Sequence, residues 1–186
     1  INQMEDHQIQ ELVSLNDQTP TCLFYISLAR RLLSENGFTE VNEKDEFPDN
    51  LDKFFVCRDE RSIIAFNIGD KSSGHFLTTN LDYPTFKLSP SGYRVHHFAE
   101  QVNACPSGKG MWLTWPDRDL TIAGQAFIKD SQNTIKSKLV YPSKTTAYMP
   151  MLAVHLKPGS GIKADLDIEK DFRPVFGFSD KDDDPE

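Results

Sequence analysis

The chain has little cysteine, no basic stripe and no long apolar run, and each shortage removes a class of function. Cys22, Cys57 and Cys105 are the only three cysteines and show no C-x-x-C spacing. Neither a disulfide framework nor a zinc knuckle is implied, and a reducing, cytoplasmic setting fits them. Lys and Arg number 20 against 28 Asp and Glu, a formal charge of -8. Without clustered Lys and Arg there is nothing to neutralise a phosphate backbone, so nucleic acid is not an expected partner. No apolar stretch approaches a membrane span, and Ile1-Asn2-Gln3-Met4 does not open a signal peptide. A start at Ile1 instead of Met is read as the mark of a trimmed or processed piece. The glycines of Cys105-Pro106-Ser107-Gly108-Lys109-Gly110 lack the spacing and the strand-to-helix setting of a phosphate-binding loop.

What is present is enough for a core. The chain has 186 residues, 38% of them apolar, with 13 phenylalanines, which places it among globular chains of one large or two small domains. Ile9, Leu12 and Val13 fall at helical spacing and predict a short helix over His7 to Leu15. Thr19-Pro20-Thr21 offers a cap, and Cys22, Ile26, Ala29 and Leu33 continue the period to a stop at Asn36-Gly37. The acidic stretch 38–52, with Pro48, reads as a loop holding one short strand at Phe38 to Val41. Phe54 to Cys57 and Ser62 to Ile68 flank a polar turn and predict a hairpin. Phe76 to Thr79 reads as a short buried strand that delivers Thr78-Thr79-Asn80-Leu81-Asp82-Tyr83-Pro84. Polar residues at the end of such a strand are where α/β proteins keep ligands.

Beyond Pro84 the helical period is gone. Strand-like runs are expected at Thr85 to Leu88, Tyr93 to Phe98, Leu120 to Lys129, Thr134 to Val140 and Met151 to Leu156, with a turn at Pro90-Ser91-Gly92. His96 and His97, adjacent on a strand, would point to opposite faces and could not chelate together. His75 reads as a solvated loop histidine. The tail, residues 179–186, is too charged to pack and is expected to be disordered.

Four blocks stand out: Thr19-Pro20 with Asn36-Gly37-Phe38-Thr39-Glu40; Ser62-Ile63-Ile64-Ala65-Phe66 with Ile68-Gly69; Trp112-Leu113-Thr114-Trp115-Pro116-Asp117-Arg118-Asp119-Leu120-Thr121-Ile122-Ala123-Gly124, the most specific; and Met149-Pro150-Met151-Leu152-Ala153-Val154-His155-Leu156. Together they resemble the aspartyl aminopeptidase and vacuolar aminopeptidase I family of dinuclear zinc exopeptidases, the first being similar to its opening and the second to one of its strands. The resemblance implies an α/β fold. Residues 1–84 correspond to the N-terminal part of a zinc-aminopeptidase-like α/β domain, residues 85–178 to a β-rich dimerisation-type domain, and 179–186 to the acidic tail.

The departures bear on chemistry. Thr78–Pro84 occupies the slot of the family motif G-A-H-T-D-S-P, in which the His is a zinc ligand and the Asp orients it. Asn80 stands at the ligand position and Asp82 at the orienting one. Leu113 replaces a family His that helps form a neighbouring subunit's substrate site, and Leu can neither donate nor accept a hydrogen bond. The family's remaining ligands and general-base Glu have no counterpart here. The resemblance therefore implies a catalytically degenerate subunit with structural, assembly or regulatory duty. No catalytic or metal residue of its own and no cofactor are expected, although the family cofactor is zinc. Two other readings stand beside it: a fragment of a zinc aminopeptidase acting on N-terminal acidic residues, completed by a second fragment or chain, and an adaptor built on the β domain. A homo-oligomer or a complex with a peptidase-like chain is expected, in the cytoplasm or, by resemblance, the vacuole. Trp112, Trp115, Asp117, Arg118, Asp119 and His155 are structural or interface candidates. Arg118 is expected to pair with the flanking carboxylates, and His155 to hydrogen-bond inside the β domain.

Overall fold

The computed structural model describes residues 3–47, 51–69, 73–142, 144, 146–156, 167 and 170–180. Pro48 and residues 181–186 of the expected acidic tail lie outside them. Two helices come first, and α1 (Gln3–Gln18) is longer than its apolar period implied. Thr19 closes it, donating its hydroxyl to the Leu15 carbonyl at 2.7 Å. Helix α2 (Cys22–Glu35) starts after Thr21, whose backbone is extended at the cap. The carbonyl of Thr21, not its hydroxyl, accepts from the Phe24 and Tyr25 amides, and the buried hydroxyl makes no hydrogen bond among the described residues. Pro20 precedes the cap and is not part of the first helical turn. At the other end Gly37 has φ +80°, a left-handed conformation that glycine adopts without a Cβ clash.

Ten strands follow. β1 (Thr39–Glu40) runs parallel to β2 (Lys53–Arg58), which forms the expected hairpin with β3 (Ser62–Asn67). Ile26 of α2 and Phe55 of β2 are essentially fully buried, and Phe54 stacks on Phe66 at 4.7 Å. A long hairpin joins β4 (Thr85–His96) to β5 (Ala99–Ser107). The turn expected at Pro90-Ser91-Gly92 is instead a register shift within β4, between Leu88 and Tyr93. There a Cβ on Gly92 would lie 2.8 Å from the Asn103 amide nitrogen, so the two backbones approach as closely as they do only because this residue has none.

β6 (Asp119–Leu120), β9 (Ala147–Tyr148) and β10 (Val175–Phe178) complete a five-stranded antiparallel sheet of order β4-β5-β10-β9-β6. β7 (Gly124–Lys129) and β8 (Ile135–Val140) form a separate two-stranded hairpin. Met151 to Leu156, expected as a strand, is irregular chain ending in a 3₁₀ turn at Val154–Leu156. The protein is thus mixed α/β. It divides into two compact units, Ile1–Asp82 with Ala123–Val140, and Tyr83–Ile122 with Tyr141–Glu186. The β7–β8 hairpin therefore associates with the first unit, although it lies within the sequence range 85–178. Among the described residues, no helix is long and apolar enough to cross a membrane.

Candidate functional site

The residues singled out by sequence fall into two groups, one in each unit. In the first, residues 73–82 are irregular chain, and the buried strand expected at Phe76 to Thr79 does not form. Phe76 is 96% and Leu77 98% exposed. A buried strand needs neighbours that take up its amides and cover both faces, and among the described residues no strand pairs with this stretch. Asn80 and Asp82 are exposed, Leu81 is half-buried, and the Thr79 hydroxyl donates to the Asn80 carbonyl at 3.3 Å.

In the second unit the Trp112–Asp119 block is a built structure. Trp112–Thr114 is a 3₁₀ turn, with the Thr114 hydroxyl donating to the Met111 carbonyl at 2.7 Å. Both tryptophans meet the Phe86 ring edge-on, at 5.0 and 5.1 Å, and Phe86 stacks on buried Phe172 at 5.1 Å. The turn leads into Asp117, whose φ is +57°. Its amide donates to the Met149 carbonyl at 2.9 Å, and its Oδ1 accepts from the Tyr148 hydroxyl and the Met151 amide, both at 3.0 Å. The hydrogen bond to this carboxylate holds the phenol's proton and raises the Tyr148 pKa, with desolvation and the like charge of a tyrosinate adding to it. Leu113 is half exposed on this turn and Met111 more so.

Two expectations are corrected here. Arg118 pairs with neither flanking carboxylate; its Nη1 donates to the Thr114 carbonyl at 3.3 Å. The left-handed backbone at Asp117 turns that side chain toward β9 (Ala147–Tyr148) and its following loop, while Asp119 enters β6 opposite Tyr148. His155 is exposed in its 3₁₀ turn and makes no hydrogen bond among the described residues. Sequence reasoning missed Tyr148, Phe86 and Phe172, since each meets the block from a distant point in the chain. A third correction concerns His96 and His97. β4 ends at His96, and His97 has φ +47°, so strand alternation stops and the two rings lie 4.2 Å apart.

Other chemistry is sparse. A cavity of about 180 Å³ between α2 (Cys22–Glu35) and the β7–β8 hairpin is lined by Ile26, Arg30, Gln125 and Leu139, among others. Its one cation, Arg30, is already paired with Glu40 at 2.9 Å. Burial pushes the Cys57 thiol up, away from the thiolate a nucleophile needs.

The profile of the Aminopeptidase I zinc metalloprotease (M18) family matches residues 15–186. Aspartyl aminopeptidase 1 of Schizosaccharomyces pombe is 30% identical over 159 residues, 82% of this chain and 33% of that protein. A cryo-EM structure of the Ape4 and Nbr1 complex matches with a TM-score of 0.83 at 26% identity, covering 92% of this chain and 34% of that one. The mApe1 dodecamer of S. cerevisiae matches with a TM-score of 0.70 at 24% identity, a likeness of fold alone, covering 92% and 38%. The chain thus spans about a third of the length of the curated relatives it matches.

These matches overturn the expectation that no cofactor is involved: the matched family is one of zinc metalloproteases, so zinc is the cofactor to expect. Catalytic zinc takes three protein ligands of the His, carboxylate or thiolate kind. Among the described residues no three His, Cys, Asp or Glu side chains converge to hold a metal, and the Asn80 carboxamide is a weak donor beside an imidazole.

Proposed function

The chain belongs to the Aminopeptidase I zinc metalloprotease (M18) family, and on that premise we propose that this span is an assembly-forming part of an aspartyl-aminopeptidase-like particle that does not hydrolyse peptides on its own. The observation that carries this reading is the exposed stretch at Thr78–Pro84, with Asn80 in the slot of a ligand and no convergent set of three donors among the described residues. Metal-activated hydrolysis needs a ligand set that holds the ion and leaves it an open position. Leu113, apolar and half exposed, supports the same reading, because a substrate end cannot be hydrogen-bonded by leucine. The division of labour is a peptidase-like part up to residue 84 and a β-rich assembly part over 85–178. The partner is a second copy or a peptidase-like chain, in keeping with the complex named for Ape4 and the dodecamer named for mApe1. We assign the particle to the cytoplasm or vacuole.

A second reading is favoured by one observation, that the chain spans about a third of its zinc-dependent relatives. In it, a second fragment or chain supplies the missing donors and completes a site for N-terminal acidic residues. Supplying Zn²⁺ and assaying peptides that begin with Asp or Glu separates the two. The first reading expects no turnover from the chain alone and sedimentation heavier than a monomer. Chelator-sensitive turnover only with a co-purifying polypeptide that carries an acid pair and a His supports the second, and turnover by the isolated chain overturns the first.

A further inference from the structure

Two residues on facing strands of the β-rich sheet each bury a polar atom that the described residues leave unbonded. Antiparallel pairing of β10 (Val175–Phe178) with β5 (Ala99–Ser107) sets Val175 opposite Gln101, and just before it the Val102 amide donates to the Pro174 carbonyl at 3.1 Å. The same register, one step on, sets Arg173 opposite Asn103, and residues directly opposite on antiparallel strands share one face. Phe172, next to Arg173, is buried and stacks on Phe86, so alternation turns Arg173 to the face away from that core. Gln101 lies two residues from Asn103 and shares its face. Its Oε1 accepts from both Nε and Nη2 of Arg94, at 3.0 and 2.9 Å.

The second arginine and amide are not closed in this way. Arg173 Nε and Asn103 Oδ1 are both buried, and neither has a hydrogen-bond partner among the described residues. There the only other such side-chain atom is the Thr21 hydroxyl oxygen. Unmet buried polar atoms are costly and rare, and here one is a donor and the other an acceptor on the same face. Together they define what fits between them: an acceptor for Nε and, next to it, a donor for Oδ1. The guanidinium charge favours a carboxylate as the acceptor. A carboxylate or phosphate with no donor of its own would set oxygen against Asn103 Oδ1, acceptor to acceptor. We propose that Arg173 and Asn103 form a binding site for a small carboxylate with a hydroxyl or ammonium group on the adjacent carbon, the chemistry shared by 2-hydroxy and 2-amino acids. The carboxylate accepts from Arg173 Nε, and the hydroxyl or ammonium donates to Asn103 Oδ1. Both residues belong to the second unit, and the site does not rest on the function proposed above.

NMR titration of the whole chain with lactate, alanine and propionate, three ligands of nearly one size, tests the site. Lactate or alanine is expected to shift the Arg173 Nε–H and Asn103 Nδ2–H signals and to saturate at one ligand per chain. Propionate lacks the donor and leaves Oδ1 unmet, so it should bind about 10-fold more weakly. Tighter lactate binding assigns the site to hydroxy acids, and tighter alanine binding to amino acids. Arg173→Met should abolish binding of all three. Asn103→Leu should erase the preference over propionate while leaving propionate binding as it was, a loss of selectivity that a packing defect does not produce. The comparison of the three ligands on the unaltered chain decides the matter even where a variant fails to fold. Propionate binding as tightly as the other two, no saturable shift at Arg173 and Asn103 with any ligand, or an undiminished preference in Asn103→Leu overturns the proposal.

Discussion

Asp117 does more than its neighbours in sequence disclose. One carboxylate oxygen receives both the Tyr148 hydroxyl and the Met151 amide, and the residue holds a left-handed backbone that Asp tolerates better than most. Asp117→Asn keeps an acceptor in place but removes the charge, so the Tyr148 phenol should titrate closer to the ordinary tyrosine value of about 10. An ultraviolet phenolate titration reads this directly. The sign follows from the direction of the shift. Since the folded pKa is raised, the stabilisation is fully present below the unfolded pKa and is lost as pH rises through the folded one. Asp117→Ala also orphans the Met151 amide, and denaturant unfolding should show a loss of about 1 kcal/mol for that bond. Asn80→His, by contrast, restores one donor of several. We expect no metal-dependent turnover from it in a peptide assay, and measurable turnover would contradict the proposed function. The motif around Asp117 was legible in the sequence, but its wiring was not. The partners lie 31 and 34 residues away, and Arg118, flanked by two acids, invited a local pairing that the backbone turn at Asp117 prevents.

Elements were legible where local period and long-range pairing agree. α2 (Cys22–Glu35) and the β2–β3 hairpin follow from spacing alone, because one buried face, with Ile26 and Phe55, fixes each. β5 (Ala99–Ser107) was not foreseen: it mixes small and polar residues, carries Pro106, and owes its strand character to pairing on both sides with β4 and β10. β10 and the two-residue β9 are likewise products of the sheet, and the apolar run at Met151–Leu156 fails as a strand because, among the described residues, no strand pairs with it. The β7–β8 turn is organised by its own chemistry. Lys136 Nζ lies 2.9 Å from the Asp130 carboxylate, which also accepts from the Thr134 and Gln132 amides at 3.0 and 2.9 Å, and these contacts lower its pKa, Lys136 foremost. A depressed carboxylate stabilises above its unfolded pKa and loses that contribution as pH falls through the folded one. Acidification should therefore lower the protection of the Gln132 and Thr134 amides, measured as exchange relative to the intrinsic rate at the same pH, before the β2–β3 hairpin is affected, and Asp130→Asn should abolish that pH dependence. In the core of the first unit, Phe55→Ala should cost about 3–5 kcal/mol, the usual range for emptying a fully buried phenylalanine site, measured by denaturant unfolding.

At the scale of the whole molecule, the apolar residues left in solvent bear on what this chain does. Phe76 and Leu77 are almost fully exposed on consecutive residues, just ahead of Asn80 and Asp82. Apolar surface of the first unit therefore lies open here. If the proposed assembly covers that surface, burying two such side chains is worth about 3–6 kcal/mol. At 1.4 kcal/mol per decade, even the lower figure corresponds to a roughly 100-fold change in dissociation constant. The double substitution Phe76→Ser with Leu77→Ser should therefore move the assembly midpoint in sedimentation equilibrium by about two decades in concentration. It should leave the far-ultraviolet circular dichroism unchanged, because these side chains contribute nothing to either core. An assembly of undiminished affinity in this variant would place the partner contact elsewhere, and the exposed faces of the β-rich sheet, with Tyr93 and Phe178, would be the next to test.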